Sequence, residues 1–327
     1  MHVEALIHSF VYSLVIGTRI TSRSFIQTRR KKVKTPIFTG CAAALVTPFR
    51  DGEVDFQALE RLIEMQIAGG CGAVVVCGTT GESAVLSYGE HRAVVGEAVR
   101  CVRGRVPVIA GAGSNSTEHA LTLIRQSEDA GADALLLVTP YYNKTSQAGL
   151  IRHYVYLADR AEKPVILYDV PSRTGMCIAP ETLAELSCHP RILGLKAAGT
   201  DLDAVSRALR LCPSDFSVYS GNDSLTLPLM ALGAKGVISV CANLIPEAMS
   251  ELTRLCLAGD YRNAAALHYE YLELMEAMFM DVNPIPIKAA LAAAGLCAGE
   301  LRLPLTELSG EKLSKLLALL RRYGLAA

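Results

Sequence analysis

No cysteine in this chain stands in a CxxC pair, and no histidine shows HxH or HExxH spacing. The ten cysteines are scattered instead, several inside apolar strand-like runs such as AVVVCG and GVISVCAN. That distribution fits reduced, packed thiols in a cytoplasmic protein better than a disulfide framework or a zinc site, so no metal is expected. Charge of one sign is missing as well: 32 Lys and Arg balance 32 Asp and Glu, which argues against a nucleic-acid partner. No membrane partner is expected either. The apolar run LIHSFVYSLVIG is 12 residues long, too short to span a bilayer. Its positive charges, in TRITSRSFIQTRRKKVK, follow it rather than precede it as in a signal peptide. Residues 1–34 are therefore expected to be an unstructured extension.

What is present is a repeated unit. With 51% apolar residues in 327, the chain has enough core for one large α/β domain. From Thr39 onward a short apolar run ends in polar or glycine residues, an amphipathic helix follows, then a glycine, then another apolar run. Eight strand candidates recur: CAAALVTPF, AVVVCGTTGE, PVIAGAGSN, ALLLVTPYYN, PVILYDVPSRTG, ILGLKAAGT, FSVYSGND and KGVISVCANL. The joints AGGCGAVVV, AGADALLLV and LGAKGVISV each place glycine just past a helix, where a left-handed C-cap is wanted. Pro180 and Pro246 stand as first-turn prolines. Near-continuous apolar strands have both faces covered, as in parallel sheets. Eight such units in series predict a (β/α)₈ barrel over 35–246. A doubly wound sheet is the alternative, and it lacks a G-x-G-x-x-G turn after its first strand. Residues 247–327 show only helical periodicity and read as C-terminal helices packed on the barrel.

One lysine is out of place. Lys196 sits inside ILGLKAAG, among Ile, Leu, Gly and Ala, with no acid nearer downstream than Asp201. A buried ammonium is costly unless it is paired or goes neutral; otherwise the lysine snorkels to solvent at a strand end. In a barrel the C-terminal strand ends share one face, and that face carries the site. Sorted by this rule, GTTGE (Gly78–Glu82), YYNKTSQ (Tyr141–Gln147), YDVPSRTG (Tyr168–Gly175) and SGND (Ser220–Asp223) all converge with Lys196. The set suits amine catalysis on a keto acid. A desolvated lysine adds to a ketone as a Schiff base, phenols move protons, threonines offer donors to a carboxylate, and Arg173 offers a planar fork to a second one.

These motifs, together with TGCAAALVTPF, CGTTGES, VTPYYNK, GLKAAG, GVISVCAN, NPIPIK and LRLPLT, resemble the dihydrodipicolinate synthase family of pyruvate-dependent Schiff-base aldolases. The similarity runs from about Thr35 to the C-terminus. The resemblance implies a lyase that condenses pyruvate with L-aspartate 4-semialdehyde in lysine and diaminopimelate synthesis, without a cofactor, as a homotetramer or homodimer in the cytoplasm. It makes Lys196 the Schiff-base lysine. Tyr168, Thr80 and Tyr142 become the proton relay, with Tyr142 reaching in from a neighbouring subunit. Thr79 and Thr80 would hold the pyruvate carboxylate, Arg173 the carboxylate of the semialdehyde, the Ile238 backbone the side of the pyruvate pocket, and Gly221 its mouth. The positions matching the family's lysine-effector site are Ser83, Ala84, Tyr88, His91, Asn115, His119 and Tyr141. Sensitive members tend to carry glutamate where this chain has His119, so lysine is expected to inhibit poorly. Two departures stand out: Asp169 where asparagine is commoner, and Ala197 where many members have glutamate, leaving Lys196 without a sequence-adjacent counter-ion. The rival enzyme readings are N-acetylneuraminate lyase or a keto-deoxy-sugar acid aldolase, which generally place another residue at the SRTG arginine. A non-catalytic binding paralogue is the reading from another class, and the intact Lys196, Tyr168 and Thr80 set argues against it.

Overall fold

Strands bounded by turn residues and buried on both faces form a parallel sheet that closes on itself. A computed structural model describes residues 33–326, and Lys34–Ala327 make up one unit. Its barrel strands are β1 (Gly40–Ala44), β2 (Ala73–Val76), β3 (Val108–Gly111), β4 (Ala134–Val138), β5 (Val165–Asp169), β6 (Ile192–Ala197), β7 (Ser217–Ser220) and β8 (Gly236–Ser239). Neighbours pair in sequence order, and Gly40–Ala43 of β1 lie in register with Gly236–Ser239 of β8, which closes the barrel and removes both sheet edges. This is the (β/α)₈ fold expected from the sequence.

Each strand feeds a helix: α1 (Phe56–Ala68), α2 (Tyr88–Val102), α3 (Thr117–Asp129), α4 (Gln147–Arg160), α5 (Pro180–Leu186), α6 (Leu202–Leu211), α7 (Thr226–Ala231) and α8 (Pro246–Leu257). Asp55, Ser87, Ser116, Ser146 and Asp201 cap their helices by accepting a backbone N–H three residues on, each worth about 1 kcal/mol. The three helix-to-strand glycines adopt the left-handed region, with φ of 81° at Gly70, 93° at Gly131 and 109° at Gly233. Beyond the barrel lie α9 (Tyr261–Ala277), α10 (Ile285–Ala293) and α11 (Gly310–Arg322). Within the helical stretch read from 247 onward, α8 packs against β1 as the eighth helix of the ring.

Alternation along the strands sorts the core into two shells. Ala42, Val75, Ile109, Leu136, Ile166 and Ile238 fill the barrel. Ala43, Val74, Leu135, Leu167, Leu195 and Ala197 face the helices. Because Leu195 and Ala197 point outward, Lys196 between them points in. Phe38, stacked on Tyr219 with centroids 4.3 Å apart, plugs the N-terminal end. The functional side chains gather at the other end.

The structure departs from expectation in two places. The first strand stops at Ala44, and Phe49–Arg50 pairs instead with Glu53–Val54 as a short hairpin; the Thr47 hydroxyl donates to the Gly81 carbonyl at 2.7 Å, so the chain leaves the sheet there. Lys34, read as the last residue of the extension, is anchored to the barrel: its N–H donates to Asp215 at 2.9 Å and its Nζ to the Ile192 carbonyl at 2.7 Å. The remainder of that extension, through residue 32, lies outside the described residues. Among the described residues no helix is long and apolar enough to cross a membrane.

Candidate active site

Strand β6 delivers Lys196 into the barrel, and the register pairs it with Tyr168 on β5. Only 5% of the lysine is exposed, and its Nζ lies 4.5 Å from the Tyr168 ring centroid. Among the described residues no hydrogen bond or ion pair engages this amine. Gly221 closes over it after β7. A Cβ there would stand 2.7 Å from Ala198 Cβ and 3.0 Å from Lys196 Cε, so only glycine admits the approach.

A carboxylate that the sequence reading placed at this face within SGND, without a role, lies buried near Lys196. Asp223, 1% exposed, accepts the Val240 and Cys241 N–H groups on Oδ2 at 3.1 and 2.9 Å, while its Oδ1 has no partner. Burial raises its carboxyl pKa, and hydrogen bonds and the charge of Lys196 oppose the rise. Asp223 thus acts on Lys196 through its field and forms no ion pair with it. The SGND motif carried the signal; the closeness of β6 and β7 at their C-terminal ends supplied the meaning.

The loop after β2 presents Thr79 and Thr80, the latter 3% exposed. Glu82 turns this loop with a left-handed φ of 51°. Its buried carboxylate forms an ion pair with the fully buried Lys288 of α10 and accepts the Arg302 N–H at 3.2 Å. Lys288 also donates to the Glu300 carbonyl at 2.8 Å. Burial lowers the Lys288 pKa, and Glu82 works against that. Ahead of α10, Asn283 donates from Nδ2 to Thr80 Oγ1 at 3.0 Å, and its carbonyl accepts from Arg173 Nη2 at 2.8 Å. Arg173 itself sits on a helical turn, Pro171–Thr174, that follows β5. Asn283, Glu82 and Lys288 stand inside the quoted motifs NPIPIK and GTTGE, but the sequence reading gave them no role in the site. Lys288 lies in the apolar run IPIKAALAA, the same signal that singled out Lys196.

A cavity of about 490 Å³ reaches Thr79, Arg173 and Asn283, though Lys196, Tyr168 and Thr80 are not among its lining residues. Its far wall includes Ser83, Ala84, Tyr88, His91, His119 and Tyr141. Asn115 does not line it; its carbonyl accepts from Asn143 Nδ2 at 2.9 Å. His91 is buried against the Gly111 carbonyl at 2.8 Å, and burial pushes its imidazole below the usual range. His119 meets Tyr88 edge-on, centroids 6.5 Å apart. Ile238 lies inside the barrel on β8, in register with Ala42. Tyr142 is not brought to Lys196 within this chain: the residue is 93% exposed and its backbone holds a left-handed φ of 67°. Among the described residues, the cluster Glu60, Glu97 and Cys101 offers metal-type donors, and the Arg100 guanidinium bridges its two carboxylates on the outer helices.

Comparison with known proteins places the chain in one family. A family model described as the dihydrodipicolinate synthetase family matches residues 37–323. The chain is 50% identical over 289 residues to a 4-hydroxy-tetrahydrodipicolinate synthase of Geobacter sulfurreducens, covering 88% of this chain and all of that one. The solved dihydrodipicolinate synthase of Aquifex aeolicus superposes with a TM-score of 0.87 at 45% identity, covering 88% and 99% of the two chains. A Cyanidioschyzon merolae relative, solved with lysine bound, gives 0.86 at 39% identity over 88% and 99%.

Proposed function

We infer, for a chain that belongs to the dihydrodipicolinate synthetase family, that it condenses pyruvate with L-aspartate 4-semialdehyde to 4-hydroxy-tetrahydrodipicolinate in lysine and diaminopimelate biosynthesis. The observation that carries this reading is the bare, inward-facing amine of Lys196 against Tyr168. The amine adds to the ketone of pyruvate, and loss of water leaves an iminium. That cation draws electrons from the adjacent methyl, which gives up a proton and becomes an enamine. The enamine carbon attacks the aldehyde, and the new alkoxide takes a proton. The substrate's own amine then attacks the imine carbon, closing the ring and releasing Lys196. The iminium is the electron sink throughout, so the sequence of steps calls for no cofactor.

Each transfer needs a placed acid or base. Tyr168 and Thr80 serve within the chain, and the exposed Tyr142 completes the relay from a second copy in a homodimer or homotetramer. Thr79 and Thr80 receive the pyruvate carboxylate, with Gly221 and the Ile238 backbone shaping its pocket. Arg173, at the cavity, takes the semialdehyde carboxylate. The cavity's far wall, where Tyr88 and His119 meet, is the effector face, and the compartment is the cytoplasm.

An assay of purified protein with pyruvate and aspartate semialdehyde, beside one with sialic acid, tests the assignment. Condensation without sialic acid cleavage is expected. Cleavage without condensation would move the chain to the N-acetylneuraminate lyase branch, and neither activity would favour a binding paralogue.

A further inference from the structure

Two cysteines meet at the N-terminal end of the barrel, away from Lys196. Cys41 on β1 and Cys71, just ahead of β2, are each 2% exposed, and their sulfurs lie 3.8 Å apart. The backbones are fixed beside each other. The Gly72 N–H donates to the Cys41 carbonyl at 2.7 Å, and the Cys71 N–H to the Gln66 carbonyl at 3.0 Å. A disulfide needs sulfurs about 2.05 Å apart on backbones already close, so side-chain rotation is the movement left to make. The cover over Cys71 is thin: Gly70 beside it is exposed and Gly72 is half-buried.

The surroundings favour a thiolate on Cys71. Ser250 of α8 donates its hydroxyl to Cys71 Sγ at 3.8 Å, and Gln66 Oε1 on α1 lies 3.5 Å from the same sulfur. Gln66 Nε2 is buried without a partner. A thiol has one proton and cannot serve both Gln66 and Cys41. With the Gln66 amide turned over, Nε2 donates to a Cys71 thiolate beside Ser250 and Cys41, and an acceptor is left unpaired in place of a donor, the more readily tolerated case. The hydrogen bond from Cys41 holds the Cys71 thiol below its usual value against burial and the charge of Glu247, with Ser250 adding to it. Burial pushes Cys77, Cys241, Cys256 and Cys297 the other way.

We propose that Cys71 and Cys41 form a peroxide-reactive dithiol, Cys71 the attacking sulfur and Cys41 the resolving one, whose disulfide clamps β1 to the start of β2. The Cys71 thiolate attacks one oxygen of hydrogen peroxide and the O–O bond breaks. The hydroxide released takes up the proton that Cys71 gave and leaves as water. The Cys41 sulfur then attacks the Cys71 sulfenic acid: the S–S bond forms, the S–O bond breaks, and a second water carries off the Cys41 proton. Two electrons pass from the pair to the peroxide. The pair rests reduced, and its bridge is a transient response to oxidant. It sits at the end of the barrel that serves stability rather than chemistry.

The test treats the folded full chain with equimolar hydrogen peroxide, blocks free thiols with N-ethylmaleimide in denaturant and maps unreduced peptides by mass spectrometry. One Cys41–Cys71 cross-link is expected, reversed by dithiothreitol. In Cys41→Ser, dimedone should trap a sulfenic acid on Cys71. In Cys71→Ser, oxidation of Cys41 should slow by at least about 10-fold. The bridged wild type should need more urea to unfold than the reduced one. No cross-link, a cross-link that forms only in the unfolded chain, or Cys41 oxidised as fast in Cys71→Ser as in the wild type overturns the proposal. A bridged form less resistant to urea overturns the clamp. Should a serine variant fail to fold, the order of thiol loss in the wild type decides. Loss of Cys41 and Cys71 together, ahead of the exposed Cys177 and Cys188, supports the dithiol, and the exposed pair reacting first overturns it.

Discussion

Lys288 and Lys196 are both lysines set in apolar surroundings, and their environments differ in every other respect. Lys288, 0% exposed, has Glu82 as an ion-pair partner, the Glu300 carbonyl as an acceptor and the Phe49 ring at 4.1 Å. Lys196, 5% exposed, has the Tyr168 ring and the electrostatic influence of Asp223, and among the described residues no hydrogen bond or ion pair. A buried charge is tolerated when geometry and hydrogen bonds match it. Lys288 is matched and holds the C-terminal segment to the barrel. Lys196 is left open toward a substrate, and the cost of burying it is met by the rest of the fold.

The contrast predicts opposite phenotypes. Lys196→Met should lower condensation by at least about 10³-fold. Stability to urea should be unchanged or higher, because an unpaired buried amine is replaced by an apolar chain of similar length. Lys288→Met should lose roughly 3–5 kcal/mol in urea unfolding, since Glu82 is left buried and uncompensated. Adding Glu82→Gln should recover part of that loss; a Lys288→Met protein as stable as the wild type would break the comparison.

Asp169 sharpens the same rule with the opposite charge. Burial raises its carboxyl to about 7, with the Ile178 N–H pulling the other way. A carboxyl raised on folding favours the folded state most when both states are protonated, and stability is lost as pH climbs through the folded value. Asp169→Asn should therefore be neutral near about pH 4 and gain roughly 1–4 kcal/mol near about pH 8. Equal effects at both pH values would show that Asp169 is not carrying a desolvated charge.

The smallest effect concerns lysine at the cavity's far wall. His119 offers an imidazole where a carboxylate would attract an ammonium. Half-inhibition at saturating pyruvate should lie above ~1 mM, and His119→Glu should lower it. Inhibition at or below that concentration in the wild type would contradict the reading.

Much of this was legible in sequence because it is local. Gly70, Gly131 and Gly233 mark helix ends, Pro180 and Pro246 mark helix starts, and Lys196, Tyr168, Thr79, Thr80 and Arg173 lie on strands or in the turns just past them. What escaped is what closure creates. Asn283 meets Thr80, and Lys34 meets Asp215 across 181 positions, only when the chain is folded. Asp223 was visible inside SGND, but its bearing on Lys196 follows from the pairing of β6 with β7. Lys288 carried the same anomaly as Lys196; nothing in the sequence said that Glu82 would answer it.

The most direct test is where pyruvate lands. Wild-type protein incubated with pyruvate and reduced with borohydride, then digested and mapped by mass spectrometry, should carry one label, on Lys196, with Lys288 unmodified. The unpaired amine reacts and the paired one does not. A label on Lys288 or on any other lysine, or no label at all, would contradict the account.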